Sequence, residues 1–169
     1  MKTLFAALLS LVLSLSVSLP APALADGMKV GNLMIEDVWV RTTLRTGAPT
    51  GAFMLIKNMG SAPDRLIAAS SPRAKATEIH QSSMAGGVMK MRRVDGVEVP
   101  ANGMAMLKPG SYHVMMMGVT HAIKAGSHIP LTLTFEHAGK ITLNVEARAM
   151  GNMPPKHDMK KHDMKKKSD

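Results

Sequence analysis

His80, Met91 and the triplet His113-Val114-Met115 set two imidazoles and two thioethers at fixed offsets in a chain without cysteine. Thioether sulfur is a soft, neutral donor that binds zinc or magnesium poorly but suits cuprous copper, and imidazole suits copper in either oxidation state. The spacing therefore names Cu(I) before it names a fold. The lack of cysteine excludes blue-copper and thiolate-bridged centres. A closed set of four donors also lacks the open position that metal catalysis needs, so binding rather than enzymatic turnover is expected. With 17 Met and 7 His in 169 residues, chance would produce these three offsets from some histidine on the order of a few times in a thousand.

Short strands must position these donors. Apolar alternation bounded by turn residues predicts strands at Leu33–Arg41, Gly51–Asn58, Arg65–Ser70, Ala76–Ser82, Val88–Val94, Met104–Leu107, Tyr112–Gly118, Pro130–Glu136 and Lys140–Ala147. Short helical turns near Ala62–Asp64 or His121–Lys124 are compatible with the pattern, but no segment sustains a helical period. The last two strands form a hairpin with its turn at Ala138-Gly139. So many short strands point to an all-β, single-domain antiparallel sandwich or Greek-key barrel. In Tyr112–Met117 the period of two puts His113, Met115 and Met117 on one face. Thr77 to Val94 reads as a second hairpin turning at Met84-Ala85-Gly86-Gly87. Centred between Ala85 and Gly86, it sets His80 opposite Met91 and Glu78 opposite Arg93. Met89, Met104, Met106 and Met116 read as core fillers, in keeping with the adaptable shape of methionine. His121, His128 and His137 read as ordinary loop or strand-end histidines.

Both ends differ from this domain. Met1-Lys2, the apolar run Leu4 to Leu19 and Ala23-Leu24-Ala25 form a secretory signal peptide, residues 1–25, cut after Ala25. The run is too short for stable membrane insertion, which takes about 20 apolar residues. The absence of cysteine argues against a lipid-anchored form. Export, most naturally to a bacterial periplasm, is expected, with a folded domain over 26–150. Residues 151–169 carry Lys156-His157-Asp158-Met159 and again Lys161-His162-Asp163-Met164. This flexible tail is a candidate second copper site through His157, Met159, His162 and Met164, with Cu(II) suited to its imidazoles and carboxylates. The net charge of +9 comes with only one Trp, one Tyr and three Phe. That leaves no stacking platform for single-stranded nucleic acid, and nucleic-acid binding is set aside.

His80, ten residues, Met91, twenty-one residues, His113, one residue, Met115 resembles the H(M)X10MX21HXM signature of the PCuAC (DUF461) family of periplasmic copper chaperones. Asp37-Val38-Trp39-Val40-Arg41, Asn58 with Gly60, Arg65-Leu66, Glu78-Ile79-His80, Gly87 to Arg92, Leu107-Lys108-Pro109-Gly110 and Tyr112 to Met115 are also similar to that pattern. The likeness runs from about Leu33 to Arg148. The optional methionine beside the first histidine is Gln81 here. The resemblance implies a cupredoxin-like β-sandwich that holds Cu(I) and delivers it to the CuA site of cytochrome c oxidase. It implies as partners the oxidase subunit carrying CuA, with another copper chaperone or a thioredoxin-like reductant. A periplasmic copper storage or resistance protein would use the same donors.

Overall fold

In the computed structural model, which describes residues 27–150, eleven strands are joined by turns and no helix forms among the described residues. The expected signal peptide and the tail with His157, Met159, His162 and Met164 lie outside the described residues. The strands are β1 (Met28–Val30), β2 (Leu33–Arg41), β3 (Thr50–Asn58), β4 (Asp64–Ser70), β5 (Ala74–Ala85), β6 (Val88–Arg93), β7 (Val97–Val99), β8 (Met104–Leu107), β9 (Tyr112–Val119), β10 (His128–Phe135) and β11 (Gly139–Arg148). The three-residue strands β1 and β7 are additions to the expected set. The stretches 62–64 and 121–124, where helical turns were expected, hold bends and extended chain instead.

Hydrogen bonding runs in the order β6-β5-β9-β3-β2-β11-β10-β4-β7, with β1 beside β2 and β8 beside β3. β4 packs against β5, and β7 against β8 and β3. The path therefore wraps round a single core as a cupredoxin-like sandwich. All pairings are antiparallel except β2 with β11, where Trp39, Val40 and Arg41 run parallel to Glu146, Ala147 and Arg148. Parallel neighbours require a long crossover, and here nearly the whole domain supplies it.

Alternation explains the core. Ile129, Leu131, Leu133 and Phe135 on β10 and Leu143, Val145 and Ala147 on β11 point inward and are almost wholly buried. The polar alternates pair outside, as Thr132 does with Thr142 at 2.8 Å between hydroxyls. The turn joining these strands is Glu136-His137-Ala138 rather than Ala138-Gly139. Phe135 pairs with Gly139, whose φ of 87° suits the glycine that closes a three-residue hairpin. Asp64 caps that turn, accepting the backbone N–H groups of His137 at 3.1 Å and Ala138 at 2.9 Å. Burial raises the pKa of this carboxyl, but the backbone donors of His137, Arg65 and Ala138 together outweigh burial and hold it below its usual value.

One irregularity governs the outer face. Register between β2 and β3 shifts between Glu36 and Trp39, with Asp37 at φ 45° and bound through Oδ1 to Arg148 Nη1 at 2.8 Å. A bulge adds one residue and so inverts the facing of everything after it. Leu33 and Ile35 point into the core before the bulge and Val40 after it. Trp39 and Arg41 are thereby turned to the outer face, opposite and beside Phe53.

Candidate metal centre

On β9 the core takes Val114 and Met116, both fully buried, which leaves His113, Met115 and Met117 on the other face. β5 runs antiparallel beside it, pairing His80 with His113, Glu78 with Met115 and Ala76 with Met117. Ser82 N–H donates to Ser111 O at 3.0 Å, so the even residues of β5 hydrogen-bond toward β9. His80 and His113 thus form a directly bonded pair with Cα atoms ~5.5 Å apart. Their ring centroids stand 6.0 Å apart. An imidazole centroid lies about 3 Å from an ion bound at ~2 Å, so this spacing fits one ion between two rings.

Each ring is oriented by a different nitrogen. Glu78 Oε2 lies 2.8 Å from His80 Nε2, and a carboxylate can only accept, so the proton sits on Nε2. His80 Nδ1 is then a bare lone pair, and it is buried without any hydrogen-bond partner. A buried acceptor left unpaired is costly, and this lone pair is of the donor type that fits a copper ion. In His113 the Nδ1–H donates to Ser111 O at 3.0 Å, which leaves the Nε2 lone pair for a metal. His113 is 4% exposed. Burial lowers its pKa despite the opposing bond to Ser111, and the charge of Arg41 lowers it further. The ring is therefore held in its neutral, ligating form.

Met115 is next to His113 on the same face and diagonal to His80. Met91 is reached differently from the expectation. The β5–β6 register pairs Ser82 with Met91 and His80 with Arg93, two residues away from the expected His80–Met91 and Glu78–Arg93 pairs. Gly86 and Gly87 carry φ of 58° and 77° and form the two central residues of a type I′ turn. A turn centred on Ala85-Gly86 would force an alanine into that region. A shift of two preserves facing, so Met91 stays on the ligand face as a diagonal neighbour of His80, ~7–8 Å away. Glu78 still reaches Arg93, at 3.7 Å. Met117, one more pleat from the histidines, is half-buried.

Three further residues shape the site. Phe53 stacks on Trp39 at 4.5 Å and approaches His113 at 6.2 Å between centroids. Gly51, paired with Met115, makes room for Phe53, since a Cβ there would stand 2.8 Å from Phe53 Cζ. Glu78, Phe53 and Gly51 were not foreseen as site residues. The signal for Glu78 was its i, i+2 spacing from His80 on a strand, which puts both on one face. Among the expected core fillers only Met116 is buried; Met89, Met104 and Met106 are exposed. His121, His128 and His137 are all exposed. Among the described residues no three His, Cys, Asp or Glu converge as a metal cluster.

A β-sandwich carrying two histidines and flanking methionines on an open sheet face belongs to the cupredoxin-like copper-binding class. Residues 33–147 match the family described as "Putative lipoprotein LpqE-like", and the chain belongs to that family, which comprises the PCuAC domains. "Putative lipoprotein Lxx21020" of Leifsonia xyli subsp. xyli is 31% identical over 134 residues, covering 79% of this chain and 80% of the relative. The copper-bound PCuAC domain from PmoF2 superposes with a TM-score of 0.63 at 27% identity, covering 73% of this chain and 97% of that domain. The solution structure of the Cu(I) form of DR1885 from Deinococcus radiodurans does so with a TM-score of 0.52 at 25% identity, covering 75% and 82%. Both of these solved relatives hold copper.

Proposed function

We propose that this protein is an exported copper chaperone that holds one Cu(I) through His80, His113, Met115 and Met91 and delivers it to the CuA site of cytochrome c oxidase. The observation that carries this reading is the in-register His80–His113 pair with a buried, partnerless Nδ1 on His80. The chain carries cargo and catalyses no reaction. Four neutral donors favour a monovalent ion, and thioethers do not form the disulfides that would consume thiols in an oxidising compartment. Neutral donors also bind less tightly than thiolates, so the ion moves downhill to an acceptor with cysteines. A thioredoxin-like reductant would keep those cysteines ready, and another copper chaperone would take the ion onward or supply it.

The working location is the periplasm, after cleavage following Ala25. The tail acts as a second copper-capture segment through His157, Met159, His162 and Met164, including for Cu(II). Its attachment point supports this role: Met150 Sδ lies 3.4 Å from Arg41 Nη1, and Arg41 is close enough for its charge to act on His113.

Competition titration of the mature chain against a calibrated Cu(I) chelator tests the reading. His113→Ala should weaken the tight Cu(I) site at least a hundredfold, about 3 kcal/mol. His157→Ala/His162→Ala should leave that site intact and remove Cu(II) uptake. Retention of tight Cu(I) binding by His113→Ala would refute the site. Transfer to a CuA-bearing fragment should follow on mixing. A loaded protein that refuses that fragment, with copper-sensitive growth when the chain is deleted, would make it a storage or resistance protein.

A further inference from the structure

The β5–β6 hairpin carries more sulfur than the family spacing uses. Met84 pairs directly with Met89, and Ser82 with Met91, on the way from the Gly86-Gly87 turn to His80. Val94 N–H donates to Ile79 O at 2.9 Å, so the odd residues of β5 hold the hydrogen bonds to β6. The even pairs, 84 with 89 and 82 with 91, are then the non-hydrogen-bonded ones, with Cα atoms ~4.5 Å apart and side chains at their closest. Met84, Met89 and Met91 therefore share the face of His80 and His113, while Val88, Lys90 and Arg92 take the other.

None of the three has a packing role. Met84 is 65%, Met89 58% and Met91 49% exposed, in contrast to Met54 and Met116, which fill the core. β6 is also an edge strand, with Lys90 and Arg92 guarding it on the opposite face. A cluster of solvated thioethers with no other donor type is selective for a soft monovalent ion, Cu(I) or Ag(I), and ignores hard cations. Without imidazole it is weaker than the site two pleats inward.

We propose that Met84, Met89 and Met91 form a second, weaker thioether site at the hairpin tip, through which Cu(I) passes between the His80–His113 pair and the partner that supplies or receives it. The inference rests on the copper-chaperone reading above. Met91 is common to both sites. As the ion moves inward Met91 stays bound, Met84 and Met89 leave, and the two imidazoles and Met115 replace them. Copper remains Cu(I) throughout, so the step is ligand exchange and needs no electron donor. The tip is also the part of the hairpin that an acceptor can touch before it reaches the buried His113.

The test uses the full mature protein labelled at its methionine methyls and titrated with Ag(I), a redox-inert stand-in for Cu(I). The first equivalent should shift Met91 and Met115. Further metal should shift Met84 and Met89 but not the exposed Met104 and Met106 on β8. In parallel, Met84→Leu/Met89→Leu keeps apolar volume while removing sulfur. It should leave the equilibrium Cu(I) affinity within about twofold while slowing release to a two-cysteine peptide about tenfold. Static Met84 and Met89 methyls, shifts shared equally with Met104 and Met106, or an unchanged release rate would each overturn the relay while leaving the main site standing. Tight Cu(I) binding that survives His113→Ala would instead bring down both readings.

Discussion

His80 and His113 face each other across β5 and β9, yet they are oriented through opposite ring nitrogens: Nε2 of His80 by Glu78 at 2.8 Å, and Nδ1 of His113 by the carbonyl of Ser111 at 3.0 Å. The two supports differ in charge. A carboxylate makes its imidazole a stronger donor than a backbone carbonyl does, and such partners govern metal affinity by about ten- to a hundredfold.

Glu78→Gln keeps an acceptor on Nε2–H but removes the charge. Cu(I) affinity should fall about tenfold, and Glu78→Ala should cost more because the ring is then unheld. Folding stability should change little, since the Arg93 contact is an exposed ion pair. Affinity equal to that of the unmodified protein in both variants would deny Glu78 any role in orienting His80.

The pH dependence follows from His113. Its folded-state pKa lies below the usual 6.5, through burial and the nearby charge of Arg41. As pH falls through 6.5 the unfolded chain takes up a proton before the folded one, so the stability contributed by this group is complete above that pH and is lost below it, toward the folded pKa. The acid limb of Cu(I) binding from this ligand should likewise lie below 6.5. Arg41→Gln removes the charge that helps to hold the pKa down. An NMR titration of His113 should then move upward in pH, and an unmoved or lower midpoint would contradict the electrostatic account.

Gly51 is a spacer for the wall of the site. Its missing Cβ is what lets the Phe53 ring lie over the strand, at 2.8 Å from where that carbon would be. Gly51→Ala should push Phe53 away from His113, strain the Trp39 stack and destabilise the fold by about 1–3 kcal/mol. The loss should be smaller in Gly51→Ala/Phe53→Leu, which removes the clash. Equal destabilisation in both would place the strain elsewhere.

What was legible in the sequence was local. β2 and β8 begin and end where alternation and turn residues set them, at Leu33–Arg41 and Met104–Leu107. The shared face of His113 and Met115 follows from the period of two alone. Nothing local, however, announces that β5 lies beside β9, which is what joins His80 to His113. The bulge at Asp37 was also hidden, because Val38, Trp39 and Val40 are all apolar and only the partner strand fixes which of them face the core. Met89 was read as a filler on composition. Its exposure depends on β6 being an edge strand, a property of the whole sheet.

The hairpin register is the remaining lever, because two backbone angles decide which residue stands beside His80. Gly86 and Gly87 both adopt positive φ, and Ala85 pairs with Val88 across them. Asparagine followed by glycine favours the same type I′ turn, so Gly86→Asn should preserve the hairpin and Cu(I) affinity. Gly86→Val places a β-branched residue in the left-handed region at a cost of about 1–2 kcal/mol. Most of that penalty should appear as local opening, since every residue of β6 is exposed and the core lies elsewhere. Faster amide exchange in Val88–Arg93 with an almost unchanged global melting point, together with weaker Cu(I) binding as Met91 leaves its register, is the expected result. If Gly86→Val instead binds Cu(I) as tightly as Gly86→Asn, the ion is held without Met91 and the ligand set reduces to His80, His113 and Met115.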